Sequence, residues 1–239
     1  MDIRLENISK SYPLTPVFRG LNVTFEEGKI HGILGASGSG KTTLLHLIGG
    51  ITPFDQGSII GVERVSCLFQ RERLLPNLTV RGNVEFVLTH LEKNHRRAAA
   101  ERALKSAHIE EAAALYPREL SGGMAQRVSM ARAFAYPSDV LLRDEPFHAL
   151  DLGLKLRLMR SLKDMLKADR RTVIFVTHDP DEALLLADDL FVFGKKPSGI
   201  VWERKLPPCD ELRDLSRDEA VRTKKELTEC LLSCSGTEE

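Results

Sequence analysis

The stretch "KIHGILGASGSGKTTLLHLIGG", Lys29 to Gly50, decides the fold. Its first third is apolar and ends in glycine, the pattern of a buried strand. Its last third, from Lys41, reads as a helix stopped by Gly49 and Gly50. Between them "GASGSGKT", Gly35 to Thr42, fits G-x-x-x-x-G-K-[ST]. Its glycines let successive backbone N–H groups turn into one concavity, and the N-terminus of the helix adds partial positive charge there. Lys41 is placed to reach the outer phosphates of a nucleotide, and Thr42 to ligate Mg²⁺.

Outward from this seed, strands and helices alternate. "IRLENISKSY" and "LNVTFEEG" are rich in β-formers, and "GSIIGVERVSCLFQ" reads as another strand pair. From about Pro76 to Leu120 the chain is alanine-rich and mostly helical, with Pro117 as a break. A further helix, "SGGMAQRVSMARAFAYP", leads into a strand from Asp139 to Leu142 and slightly beyond. Then follow a helix (Leu152 to Lys167), a strand (Thr172 to Thr177), a helix (Pro180 to Ala187), and a hairpin of "LFVFG" with "GIVWERK". A charged amphipathic helix, or pair of helices, closes the chain. The expected fold is α/β: a P-loop NTPase core with a mainly parallel sheet, an N-terminal antiparallel β subdomain and an inserted α-helical subdomain. One domain over 1–239 is expected, divided into core with β subdomain (1–70 and 138–205), helical subdomain (71–137) and C-terminal helical extension (206–239).

"VLLRDEPFHALD", Val140 to Asp151, supplies the acids such a loop requires. An apolar strand ends in Asp144 and Glu145, at the carboxyl edge where ligands sit in parallel sheets. Asp144 is suited to the metal and Glu145 to orienting an attacking water. Arg143 precedes them. Strand alternation starts Arg143 and Glu145 on the same side, where pairing would make Glu145 a weaker base and restrain turnover; the alternative is that Arg143 extends past the strand and pairs elsewhere, with no effect on rate. "LSGGMAQR", Leu120 to Arg127, is a second glycine-rich helix start, capped by Ser121. One nucleotide cannot easily use two such loops of one chain, so a second subunit is expected.

With these stretches in order, nearly the whole chain resembles the ATP-binding subunits of ABC transporters. The resemblance assigns Gly35, Ala36, Ser37, Gly38, Ser39, Gly40, Lys41, Thr42 and Thr43 to the Walker A loop, and Tyr12 to stacking on adenine. It makes Gln70 the Q-loop residue that senses Mg²⁺ and the γ-phosphate, alongside Thr42 and Asp144 as metal-site residues. Ser121, Gly122 and Gly123 match the signature motif, with Met124 where glutamine is commoner. Glu145 matches the catalytic carboxylate, Asp151 the D-loop and His178, in "VTHD", the switch histidine. The family usually has an apolar residue at Arg143 and serine at His148.

The resemblance implies ATP and Mg²⁺ as ligands, and a head-to-tail pair of ATPase subunits that ATP closes and hydrolysis opens. It implies membrane-spanning permease subunits as partners, gripped by the helical block, with Leu74, Leu75 and Leu78 as candidate contacts. "THDPDEALLLAD" and "DEPFHALD" look most like importers of the nitrate, sulfonate, taurine and thiamine-precursor type, which adds a solute-binding protein and a place on the cytoplasmic face of the membrane. An exporter or lipoprotein-release ATPase is the alternative, since it shares the site but not the partner. Non-transport relatives carry long coiled coils or two ATPase domains, and an unrelated kinase or GTPase has no reason to carry "LSGGMAQR".

Composition agrees with a soluble partner of a membrane protein. Lysine plus arginine and aspartate plus glutamate number 34 each, so the net charge of zero argues against a nucleic-acid binder. "EALLLADDLFVFG" comes nearest to a membrane span but is cut by Asp188 and Asp189. The charged start, "MDIRLENISK", is not that of a signal peptide. The four cysteines form no CxxC pair, and Cys230 and Cys234 read as ordinary packing.

Overall fold

In a computed structural model of the chain, residues 1–13, 15–68, 72–145 and 151–235 are described. Two sheets carry the molecule. Strands β1 (Ile3–Tyr12), β2 (Thr15–Phe25) and β4 (Gln56–Ile60) form an antiparallel sheet in the order β2-β1-β4. Six strands form the other: β5 (Val65–Leu68), β6 (Val140–Asp144), β7 (Thr172–Val176), β3 (Ile30–Gly35), β8 (Asp189–Phe193) and β9 (Ile200–Lys205), in that order. The first five run parallel, and β9 returns antiparallel to β8 as the expected hairpin. This is the mixed α/β architecture that the strand–helix alternation implies.

One expectation needs correction. The strands read from "GSIIGVERVSCLFQ" do not pair with each other: β4 joins β1, while β5 joins β6. Gly61, at φ 85°, ends β4 and sends the chain from one sheet to the other. Periodicity marks a strand but not its partner.

Strand β3 explains why the phosphate loop sits where it does. Every residue from Ile30 to Gly35 is buried, as expected for a strand covered on both faces. Ile33 faces a core shared with the antiparallel sheet and the helix α1 (Lys41–Ile48), packed by Phe18, Phe25, Leu44 and Phe193. Leu34 faces the opposite core, filled from α5 (Leu152–Ala168) by Leu158 and Leu162 and from α6 (Pro180–Leu186) by Leu184. In α5, the buried residues Leu158, Met159, Leu162, Met165 and Leu166 form one apolar stripe.

The helical block consists of α2 (Val80–Glu85), α3 (Lys93–Ser106) and α4 (Gly122–Ala135), packed through Val84, Leu104 and Val128. Pro117 does not merely break a helix; it opens a short 3₁₀ turn, Pro117–Glu119, where its missing N–H costs nothing. Fully buried Asn83 bonds the backbone of Leu75, Leu78 and Thr79, which ties down the segment holding Leu74, Leu75 and Leu78. At the other end of α4, Arg171 donates to the carbonyls of Ala133, Phe134 and Tyr136. A guanidinium thus closes the helix C-terminus. The last element of the described residues is one helix, α7 (Asp218–Ser235), packed on α6. Among the described residues no helix is long and apolar enough to cross a membrane.

Candidate active site

Register brings the strand ends level. Asp144 lies opposite Val176, which lies opposite Ile33. Backbone bonds continue the alignment: Glu145 N–H donates to Val176 O at 3.0 Å, and Thr177 N–H to Ile33 O at 3.1 Å. The ends of three strands therefore open onto one cavity of about 460 Å³, a size that suits a nucleotide. Loop residues between Gly35 and Thr43 line it, together with Glu145, Val176, His178 and Lys196.

The loop has the shape of a phosphate cradle. Gly35 has φ 149°, and a Cβ there would come within 2.5 Å of Phe193 O. Gly40 has φ 99°, with Val17 2.6 Å from the position of its Cβ. Only glycine fits these two corners. Lys41 is 8% exposed, and its Nζ donates to Gly35 O at 2.8 Å and Ala36 O at 2.9 Å. Burial pulls its ammonium below the ordinary lysine range, while the fields of Glu145 and Asp144 push back.

Strand alternation separates the residues around the acids. Asp144 points toward α1, where Thr42 Oγ1 donates to its Oδ1 at 3.4 Å. A hydroxyl and a carboxylate side by side form an oxygen donor set suited to a hard divalent cation. Burial raises the Asp144 carboxyl above its usual value, against the Thr42 hydrogen bond. Arg143 points the other way, into the core filled by α5 and α6, and is 4% exposed. Burial lowers its guanidinium to about 9, and Glu182 of α6 is the carboxylate that pushes it back up.

The expectation that Arg143 and Glu145 share a side is overturned, because Glu145 leaves the strand. It adopts φ 44°, a left-handed conformation that costs a non-glycine residue of order 1–3 kcal/mol. The turn releases its side chain from strand alternation and swings it to His178, whose Nδ1 lies 3.4 Å from Glu145 Oε1. A carboxylate only accepts, so this nitrogen is the donor.

A second set of charges, marked by no motif, lies behind His178. Thr177 Oγ1 donates to Glu182 Oε2 at 2.6 Å. Lys155, in the first turn of α5, reaches Glu182 Oε1 at 2.6 Å and Asp179 Oδ2 at 2.9 Å. Asp179 in turn caps α6 through the N–H groups of Asp181 and Glu182. Lys155 sits four residues after Asp151 and Glu182 four after His178, which is the only trace of this network in the sequence.

Tyr12, Ser121, Gly122 and Asp151 are not among the residues that line the cavity. Tyr12 ends β1, 43% exposed, with Lys10 Nζ 5.5 Å from its ring centre. Ser121 caps α4 by accepting from Met124 N–H at 3.3 Å, and Gly122 faces open space. Asp151 caps α5 by accepting from Leu154 N–H at 2.9 Å. Gln70 and His148 fall outside the described residues. A larger groove of about 880 Å³ beside β1, β8 and β9 holds none of the motif residues.

Residues 18–148, more than half of the chain, match the family model for ABC transporters, and the chain belongs to that family. It is 41% identical over 192 residues to an aliphatic sulfonates import ATP-binding protein of Delftia acidovorans, covering 80% of this chain and 78% of that protein. It is 38% identical over 213 residues to a taurine import ATP-binding protein of Escherichia coli O157:H7, covering 84% and 83%. A sulfate/thiosulfate import ATP-binding protein of Shewanella oneidensis is 41% identical over 211 residues, covering 81% of this chain but 56% of that protein. The chain thus spans a little over half the length of its sulfate/thiosulfate relatives. Among solved structures, the dimeric bacterial ABC transporter cassette MJ0796 superposes with TM-score 0.74 at 30% identity, covering 87% of this chain and all of that one. The same cassette in a post-hydrolysis state with ADP and Pi gives TM-score 0.75 at 29% identity, with the same coverage.

Proposed function

We propose that the chain is the ATP-hydrolysing, energy-coupling subunit of an ABC transporter that imports a small solute. The observation that carries this reading is the convergence of the Lys41 loop, Thr42 and the Glu145–His178 pair on one cavity, with Asp144 bonded to Thr42 beside it. The backbone N–H groups of the loop and the ammonium of Lys41 bind the phosphates of ATP, Lys41 exchanging loop carbonyls for phosphate oxygens. Thr42 and Asp144 would hold Mg²⁺, with Gln70 completing the set; the ion, when bound, neutralises charge on the β- and γ-phosphate oxygens. Glu145 orients a water against the γ-phosphate and accepts its proton, and His178 holds the carboxylate in place.

Ser121 and Gly122 lie outside the cavity of their own chain, so they act on the nucleotide of a second subunit packed head to tail. ATP bound between the two favours the closed pair, and hydrolysis releases it. Tyr12 supplies an exposed ring for adenine, and Asp151 lies at the shared interface. Permease subunits dock on the helical block through the half-buried segment of Leu74, Leu75 and Leu78, with a solute-binding protein on the far side. The chain then sits peripherally on the cytoplasmic face of the membrane.

The test is Glu145→Gln. It should lower phosphate release from the complex by about 10²–10⁴-fold, the usual contribution of a general base. ATP binding should persist, and sedimentation should show ATP-dependent pairing of two chains. Undiminished hydrolysis, or wild-type chain that binds no ATP in calorimetry, would sink the proposal.

A further inference from the structure

We propose that Lys196 is a second lysine of the phosphate site, binding the nucleotide's outer phosphates from the side opposite Glu145; this rests on the ATPase reading above. No motif marks the position, which lies in the turn between β8 and β9. Three observations place the residue there.

First, the turn is built against the phosphate loop. Phe193, the last residue of β8, is opposite Gly35 in the parallel register. The gap between them is closed so tightly that a Cβ on Gly35 would come 2.5 Å from Phe193 O. Whatever follows β8 therefore emerges beside the loop. Second, the turn is fastened. Gly194 N–H donates to Gly199 O at 3.0 Å and closes it. Buried Ser198 donates its hydroxyl to the carbonyl of Ser39, inside the loop, and its N–H to Val17 O at 2.6 Å. The hairpin tip is thus held to the loop and to β2 at once. Third, Lys196 lines the same cavity as Lys41, Thr42, Glu145 and His178. Among the described residues no carboxylate lies within 4.0 Å of it.

The chemistry is that of an ammonium on a mobile stem, which finds phosphate oxygens as a point charge without fixed geometry. Glu145 lines the cavity and Asp144 adjoins it through Thr42, so carboxylates stand beside the phosphates, with Lys41 as the buried cation of the loop. A second cation offsets the charge left on a metal-bound triphosphate. β6 and β7, with Glu145 and His178, flank β3 on one side, and β8 flanks it on the other. Lys196 therefore acts across the phosphates from the hydrolytic pair.

The experiment uses the full chain and calorimetric titration with MgATP at low and high salt. Lys196→Gln, which removes the charge and keeps most of the length, should weaken MgATP about tenfold, the worth of one charge-assisted contact. The deficit should shrink as salt rises, and Lys196→Arg should restore most of the affinity. Thermal unfolding without nucleotide should match wild type, since the side chain is exposed. Wild-type affinity and salt dependence in Lys196→Gln would overturn the inference while leaving the ATPase reading intact. A deficit that Lys196→Arg does not repair would also overturn it. If the wild-type chain binds no MgATP, the ATPase reading fails first and this inference with it.

Discussion

Arg143 and Glu182 are buried charges whose fields act on each other, and the two should respond to mutation in opposite ways. Arg143 sits on an apolar strand, and burial drags its guanidinium from 12.5 to about 9 even with Glu182 nearby. That drop corresponds to about 5 kcal/mol set against the charged form, at 1.36 kcal/mol per pKa unit. Arg143→Met removes the charge from a site that disfavours it and keeps a long flexible side chain. Glu182 still holds Lys155 and the Thr177 hydroxyl, at 2.6 Å each. The variant should therefore be neutral or more stable by about 1–3 kcal/mol, as when buried ion pairs are replaced by apolar residues. Glu182→Gln does the reverse. It removes the anion that holds Lys155 and whose field favours the buried guanidinium, at a cost of about 3–5 kcal/mol. In the double variant that cation is gone, so much of the loss should return. Urea unfolding at pH 7, followed by far-UV circular dichroism, measures all four species. If Arg143→Met loses more than about 2 kcal/mol while Glu182→Gln loses nothing, the two residues are not coupled in this way.

Other outcomes follow from contacts described above. Arg171→Ala should cost about 3 kcal/mol in urea unfolding, since it strips a charged cap from buried carbonyls at the end of α4. Asn83→Leu should cost a similar amount, about 2–3 kcal/mol, and should increase protease cleavage between Leu74 and Thr79 before global unfolding. Gly35→Ala should abolish MgATP binding, measured by calorimetry, because the new Cβ meets Phe193 O. Burial pushes the Asp179 carboxyl up, but Lys155 and the α6 N–H groups outweigh it and hold it below its ordinary value. Asp179 therefore stabilises the fold above about pH 4, its unfolded range, and that contribution fades as pH falls through the lower folded value. Lys155→Met should flatten the loss of stability measured between pH 5 and pH 3.

The parts of the site that are contiguous in the chain are legible from the amino-acid order alone. "GASGSGKT" announces itself because a phosphate cradle is a local backbone shape, set by glycines a few residues apart. Asp144 is legible because an apolar strand must end where its polar residues begin. Glu145 is only half legible. Its identity is evident, but its left-handed backbone is not, and that backbone breaks the alternation linking it to Arg143. The carboxylate facing Arg143 arrives 39 positions later, in α6, and no periodicity connects the two. Strand pairing is hidden for the same reason: β4 and β5 are neighbours in sequence, but their partners are chosen by the assembled sheets. Lys196 is invisible because a lone lysine in a turn has no pattern; only the register of β8 against β3 brings it to the loop.

The cap on α4 has a mechanical consequence. That helix carries Ser121 at its N-terminal end and is held by Arg171 to the base of the parallel sheet at the other. Fourteen residues make a rod about 21 Å long, at 1.5 Å rise per residue. A tilt of about 5° at the Arg171 end carries Ser121 about 2 Å, over half the length of a hydrogen bond. Small adjustments where the helical block meets its neighbours are thus amplified at the tip.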